Sequence, residues 1–233
     1  MSQPGHVIVL NGPSSVGKSA IQREIQDSFE QLYLVMGVDD LMLRAVPDRY
    51  YRRPGGRDVL WIERSKDLSG APLNSVQFGP KGRRIVSGLH HAVAAFALRG
   101  NNVVVDYLAF EREFLADLTA AMRGLPAYLI GLRAPLAILE SREQHRSDRP
   151  RGTARAYFDV AHQHPTYDLE LDTSVRSTKE CVDVIREYIA REPNPSAFRR
   201  LGDCFRTSPA TTVLRDQETT ESSVRSGSVS QAR

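Results

Sequence analysis

The chain has 233 residues, 41% apolar and 25% charged, with 31 basic residues against 28 acidic ones for a formal charge of +3. That apolar content supplies the core of one α/β domain with some length to spare, which excludes a chain disordered throughout. No run of about 18 apolar residues occurs, so no membrane span is expected. The two cysteines, Cys181 and Cys204, suggest neither a disulfide framework nor a zinc site, and the expected location is cytoplasmic.

The first predicted element is a strand, "HVIVLN" at 6–11. The run is short and enters a glycine loop directly, so it reads as a strand and not as a signal peptide. A helix over 18–29 follows the loop, then a strand "LYLVMG" at 32–37 and a helix over 39–46. Residues 47–83 break this rhythm. They are rich in Gly, Pro, Arg and aromatics, and read as an acceptor-binding insertion over the C-terminal edge of the sheet, where ligands bind in such folds. Beyond it come a helix over 84–99, the strand "NNVVVDY" at 101–107, a helix over 111–122, the strand "AYLIGLR" at 127–133, a helix over 135–147, the strand "YDLELDT" at 167–173 and a helix over 175–191. Strands alternating with helices, three of them nearly continuous in Val, Ile and Leu, predict a parallel sheet covered on both faces. The character changes near residue 192: "REPNPSAFRR" carries two prolines, and the end "TTESSVRSGSVSQAR" is Ser/Thr-rich. Residues 1–192 are therefore read as the domain and 193–233 as a mostly disordered tail, with a short helix around "PSAFRRLGDCF" able to dock.

The loop between the first strand and helix reads Gly12-Pro13-Ser14-Ser15-Val16-Gly17-Lys18-Ser19. This is the spacing of a phosphate-wrapping loop, in the strand–loop–helix context that such a loop requires. Gly12 and Gly17 permit backbone angles and close approach that a side chain would block. Loop N–H groups and the N-terminus of the helix offer partial positive charge to phosphate oxygens. Lys18 is expected to reach the β- and γ-phosphates of ATP, and the Ser19 hydroxyl to hold Mg²⁺.

Four further groups of residues have two readings each. Asp39, in "MGVDDL", lies at the tip of the second strand on the edge that carries the loop. It is a helix N-cap on one reading and a general base or second-shell magnesium ligand on the other, since Asp40 can supply the cap. Asp106, at the end of the third strand of the predicted sheet, is a loop cap on one reading, and a water-mediated magnesium ligand or a partner positioning the acceptor on the other. Arg142, Arg146 and Arg149 fall at i, i+4 and i+7 of the predicted 135–147 helix and its extension, one face of a lid over 140–155. They form a solvated basic face, or they contact a nucleoside triphosphate and stabilise charge on the phosphoryl group in transfer. Tyr50, Tyr51, Trp61 and Phe78 line an acceptor pocket or pack in the core. His90, His91, His162 and His164 have no spacing that makes a metal site and read as surface or core histidines.

The chain resembles the chloramphenicol phosphotransferase family. The resemblance is carried by "VLNGPSSVGKS" (9–19), "GVDDL" (37–41), "FGP" (78–80), "ALRG" (97–100), "VVVD" (103–106), "ESREQHRSDR" (140–149) and "YDLELDT" (167–173). It implies a P-loop kinase core, a three-layer sandwich whose five parallel strands run in the order 2-3-1-4-5. It also implies that Asp39 is the base acting on the acceptor hydroxyl and that Arg146 and Arg149 contact phosphate. Arg142 is assigned to the cofactor, against the adenine. The chain departs from the family's paired aspartates, having Asp106-Tyr107, and from its composition over 47–76; the tail has no counterpart.

The expected function is an ATP-dependent O-phosphotransferase acting on a hydroxyl of a small molecule, with chloramphenicol-type antibiotics among the acceptors. A metabolic kinase for a sugar, nucleoside or shikimate-like acid stays open, as does a non-catalytic nucleotide-binding regulatory protein. Against the last, binding alone needs no base. Neither a nucleic-acid partner nor a membrane partner is expected.

Overall fold

The computed structural model describes residues 3–50, 57–146 and 150–207. At its centre is the strand β1 (Val7–Asn11), whose five residues are all buried. Val7 and Val9 enter one apolar cluster, and Ile8 and Leu10 enter another. A strand with both faces covered must be apolar at every position, and that is how this one reads. Four more strands extend the sheet: β2 (Tyr33–Gly37), β5 (Asn102–Tyr107), β6 (Ala127–Arg133) and β7 (Leu169–Asp172), in the order β2-β5-β1-β6-β7 and all parallel.

Two strands in the chain stand outside this sheet. β3 (Leu60–Lys66) and β4 (Pro72–Phe78) form an antiparallel hairpin of their own. The sequence reading gave this stretch no strands, so strands counted along the chain run 2-5-1-6-7 across the sheet instead of 2-3-1-4-5. The physical reason is exposure. β3 buries little along its length, so its sequence lacks the apolar continuity that marks the central strands. The hairpin turns at Asp67, whose carboxylate accepts the N–H groups of Ser69 and Ala71. Gly70 takes the positive φ of 84° that the turn requires.

Helices cover both faces. α3 (Pro80–Leu98), α4 (Arg112–Ala121) and α8 (Ala197–Thr207) pack on the side of Val7 and Val9. On the side of Ile8 and Leu10 lie α1 (Lys18–Ser28), α5 (Leu136–Gln144), α6 (Thr153–Tyr157) and α7 (Thr178–Arg191). Local chemistry sets several of their ends. α3 starts at Pro80, four residues before the expected start, because a proline at the first helical position needs no N–H partner. α7 is closed by a capping box in which the Ser177 hydroxyl accepts from the Glu180 N–H and the Glu180 carboxylate accepts from Ser177. Among the described residues no helix is long and apolar enough to cross a membrane.

The helix expected near "PSAFRRLGDCF" is present as α8, and it is part of the core. Ala197, Phe198 and Leu201 are buried against the helices and strands of the first cluster. Asp168 starts it: one carboxylate oxygen accepts from Ser196 and Ala197 N–H, the other from Leu129 N–H. The packing therefore runs past residue 192, where the sequence reading ended the domain; residues 208–233 lie outside the described residues.

Candidate active site

The glycine loop leaves β1 and enters α1 at the C-terminal edge of the sheet. Its two glycines serve different needs. A Cβ on Gly12 would sit 2.5 Å from the Leu132 carbonyl oxygen, so the loop lies against β6 only because that atom is missing. Gly17 has open space around it but holds φ at 104°, a region costly for any other residue. Ser15, at φ 64°, is the one non-glycine residue with positive φ among the described residues. Lys18 folds its ammonium back over the loop, donating to the carbonyls of Gly12 (2.7 Å) and Pro13 (3.0 Å). The hydroxyls of Ser14 and Ser15 are buried and have no hydrogen-bond partner among the described residues. Buried polar atoms of this kind call for a ligand or water.

Asp106, Asp39 and Asp40 line one cavity together with loop residues Ser14, Lys18 and Ser19. In the sheet register Asp106 lies beside Leu10 of β1 and Gly37 of β2, which brings the three strand ends together. Asp106 Oδ2 accepts the Ser19 hydroxyl at 3.1 Å, and Oδ1 lies 3.6 Å from the Lys18 ammonium. Gly37 is the N-cap of α2 (Val38–Ala45), which places Asp39 and Asp40 together in its first turn. Asp40 is not the cap that the sequence suggested, because the N-cap is Gly37 and Asp40 falls inside the first turn; it instead reaches Arg44 at 3.8 Å. Lys18, Ser19, Asp39, Asp106 and Arg146 all line one cavity of about 440 Å³.

The arginines are not one helical face. α5 ends at Gln144, with the Arg146 N–H tightening onto the Glu143 carbonyl, so Arg146 lies beyond the helix, and Arg149 lies outside the described residues. Arg142 sends its fork to the hydroxyl and carbonyl of Thr173, and Thr173 in turn donates to the Val16 carbonyl in the glycine loop. Its donors thus brace the loop from behind. The buried residue here is Glu143, which the sequence reading did not single out. Its carboxylate accepts from Gly152 N–H and Ala154 N–H, both at 2.7 Å, and so anchors the start of α6.

The cavity also has an aromatic lining. Phe78, Phe110, Phe114 and Tyr157 line the cavity with Val76, and ring centroids are 5.3–6.1 Å apart. Of the four aromatics expected around an acceptor, Phe78 is in this wall. Tyr50 meets Arg49 and Lys81, Trp61 meets Arg57, and Tyr51 lies outside the described residues. Phe110 and Phe114 carried a readable signal: they sit i, i+4 just after the β5 tip, on the ligand edge of the sheet.

The histidines sit in varied surroundings. His90 is buried with Nδ1 2.6 Å from Asp117. Burial, with the charge of Arg133, lowers the pKa of His162 to about 4. Among the described residues no group of three or more His, Cys, Asp or Glu can hold a metal ion by itself.

A family model described as chloramphenicol phosphotransferase-like protein matches residues 5–190. A curated relative from Mycobacterium tuberculosis (strain H37Rv), named "Putative O-phosphotransferase Rv2636", is 27% identical over 201 residues, 86% of this chain and 89% of its own length. Among solved structures, the APS kinase CysC of Mycobacterium tuberculosis in complex with AMPPNP and APS aligns with a TM-score of 0.58 at 16% identity, over 81% of this chain and 99% of that one. A sugar kinase from Janibacter sp. HTCC2649 aligns with a TM-score of 0.55 at 17% identity, over 82% and 96%. At these identities the structures speak for the fold.

Proposed function

The chain belongs to the chloramphenicol phosphotransferase-like family and is a phosphotransferase of the kinase type, and from that premise we propose that it moves the γ-phosphate of ATP onto a hydroxyl of a small molecule seated between Asp39 and the aromatic wall. One observation carries this reading: a single cavity joins the glycine loop, the carboxylates of Asp39, Asp40 and Asp106, and an apolar wall. The loop from Gly12 to Ser19, with Pro13, Ser14, Ser15 and Val16, wraps the phosphates. Lys18 exchanges the loop carbonyls for phosphate oxygens. Ser19 and Asp106 are two oxygen donors 3.1 Å apart. They fit Mg²⁺, which keeps water and phosphate oxygens for its remaining positions and would supply neutralisation of phosphate charge. Asp39 accepts the hydrogen bond of the acceptor hydroxyl and takes its proton as transfer proceeds. Arg146, with Arg149, stabilises charge on the phosphoryl group. Arg142 serves the nucleotide side by holding Thr173 under Val16.

The wall also speaks to the acceptor. Val76, Phe78, Phe110 and Phe114 favour an acceptor that carries its reactive hydroxyl on an apolar or aromatic body, as chloramphenicol-type antibiotics do, while Gln22, Gln26 and Thr153 of the same lining can meet its other polar groups. The test is ATP consumption by the purified protein with Mg²⁺ across a panel of hydroxylated antibiotics, sugars, nucleosides and shikimate-like acids. Turnover confined to apolar hydroxyl compounds is the expected result. ATP binding with no transfer to any hydroxyl compound would sink the catalytic reading in favour of a regulatory one.

A further inference from the structure

The face of the hairpin that closes the acceptor cavity is fastened to the lid at several points. The Tyr157 hydroxyl, at the end of α6, accepts from Val76 N–H (2.6 Å) and donates to the Val76 carbonyl (3.2 Å). Asn74 N–H donates to the Gly152 carbonyl, and its side chain to the Arg151 carbonyl. Arg155 bridges Glu140 of α5 (2.7 Å) and Asp67 in the hairpin turn (3.0 Å). The backbones themselves nearly touch: a Cβ on Gly152 would lie 2.2 Å from the Pro72 carbonyl oxygen. The lid side of these ties is in turn fixed to the glycine loop. Glu143 holds Gly152 and Ala154, and its neighbour Arg142 holds Thr173, which bonds Val16. Contacts therefore run without a gap from the phosphate loop to the acceptor wall.

We propose that Tyr157 is a positioning residue that makes the lid and the β3–β4 hairpin one body, so that nucleotide on the glycine loop sets the acceptor wall and the two ligands bind with positive coupling. Tyr157 suits this role because it does two jobs from one place. Its ring, 3% exposed, packs 5.3 Å from Phe110 in the acceptor wall, while its hydroxyl clamps the β4 backbone. A coupling free energy needs an element that both sites bias. Here that element is the hairpin, exposed along β3 and held at its free side by α6.

The inference rests on the reading of the glycine loop as a nucleotide site, and the test separates the two. Trp61 is the sole tryptophan of the chain, sits on β3 opposite Gln77, and is not among the residues lining the cavity. Its emission reports the hairpin without touching nucleotide. AMPPNP with Mg²⁺ is titrated into the full chain, with binding heat and Trp61 emission recorded together. In the wild type the emission should change in step with binding. In Tyr157→Phe, AMPPNP should still bind within about threefold of the wild-type Kd, while the Trp61 response falls below about half. Asn74→Ala, which removes only the tie to the Arg151 carbonyl, should reduce the response in the same direction, and it carries the test if Tyr157→Phe fails to fold. AMPPNP binding with no Trp61 response in the wild type, or an undiminished response in both variants, overturns the coupling and leaves the nucleotide site standing. No AMPPNP binding by the wild type overturns the nucleotide reading, and this inference with it.

Discussion

Asp39 and Asp40 share the first turn of α2, yet the reaction proposed here asks different things of them. Asp40 has Arg44 one turn on, while Asp39 is the carboxylate proposed to meet the acceptor. Asp39→Asn keeps the shape and a hydrogen bond but removes the basicity, so turnover should fall about 10²–10⁴-fold with ATP affinity little changed. Asp40→Asn should cost little rate, and steady-state kinetics on the pair, with nucleotide affinity measured separately, checks both. An essential Asp40 beside a dispensable Asp39 would overturn the base assignment. Lys18→Ala should lose nearly all transfer and retain the folded circular dichroism spectrum, since its ammonium binds loop carbonyls and approaches the Asp106 carboxylate at the edge of the cavity. Titration gives a further check on the residue scale. The fold keeps His162 neutral by burial, with its pKa down at about 4. Its contribution to stability is therefore present above the unfolded value of about 6.5 and is lost as pH falls from there toward about 4. Melting temperatures at about pH 7 and pH 5 should differ less in His162→Gln than in the wild type. Burial lowers His90 and His6 in the same direction, so the difference shrinks without vanishing.

At the scale of the element, the glycine loop was legible because its glycines answer to backbone geometry that spacing alone records. The lid was not. The i, i+4, i+7 arginines suggested a helix running through 147, but α5 stops at Gln144. Beside that end the buried Glu143 carboxylate accepts two N–H groups at the start of α6, a tertiary contact. Glutamate is a good helix former, so nothing local marks Glu143 as an anchor. The hairpin was missed for a related reason, since a strand that packs on a lid and faces water on the other side carries no long apolar run. If Glu143 anchors this segment, Glu143→Gln should destabilise by about 1–3 kcal/mol, because one of the two buried N–H donors is left facing an NH2 group and the other keeps only a neutral oxygen. Urea unfolding measures this. Unchanged stability would mean that the backbone of 150–154 is held by its other contacts, the Asn74 ties among them.

For the whole molecule, the five central strands and their parallel arrangement were legible because a sheet buried on both faces leaves apolar runs that periodicity cannot mistake for surface. The limit of the domain was not legible, because α8 has just three buried positions, Ala197, Phe198 and Leu201, and two prolines precede it. A short amphipathic helix after a proline turn looks the same in sequence whether it docks or not. Here Asp168 decides it, a residue that the motif "YDLELDT" presents as part of a strand but which caps α8 and ties it to β6. The consequence is testable by truncation at two places. Ending the chain after Glu192 removes the ring of Phe198, 7% exposed, together with Ala197 and Leu201, and leaves the Asp168 carboxylate without two of its donors. Losing one buried phenylalanine costs about 3–5 kcal/mol in a typical core, a large part of the stability of a domain this size, so the 1–192 chain should melt far lower or fail to fold. Ending it after Thr207 removes a segment poor in apolar residues and should leave both the melting temperature and turnover as they are. Phe198→Ala in the full chain should reproduce most of the loss seen in the shorter truncation. A 1–192 chain that melts with the full-length protein would show that α8 rests on the core without holding it together.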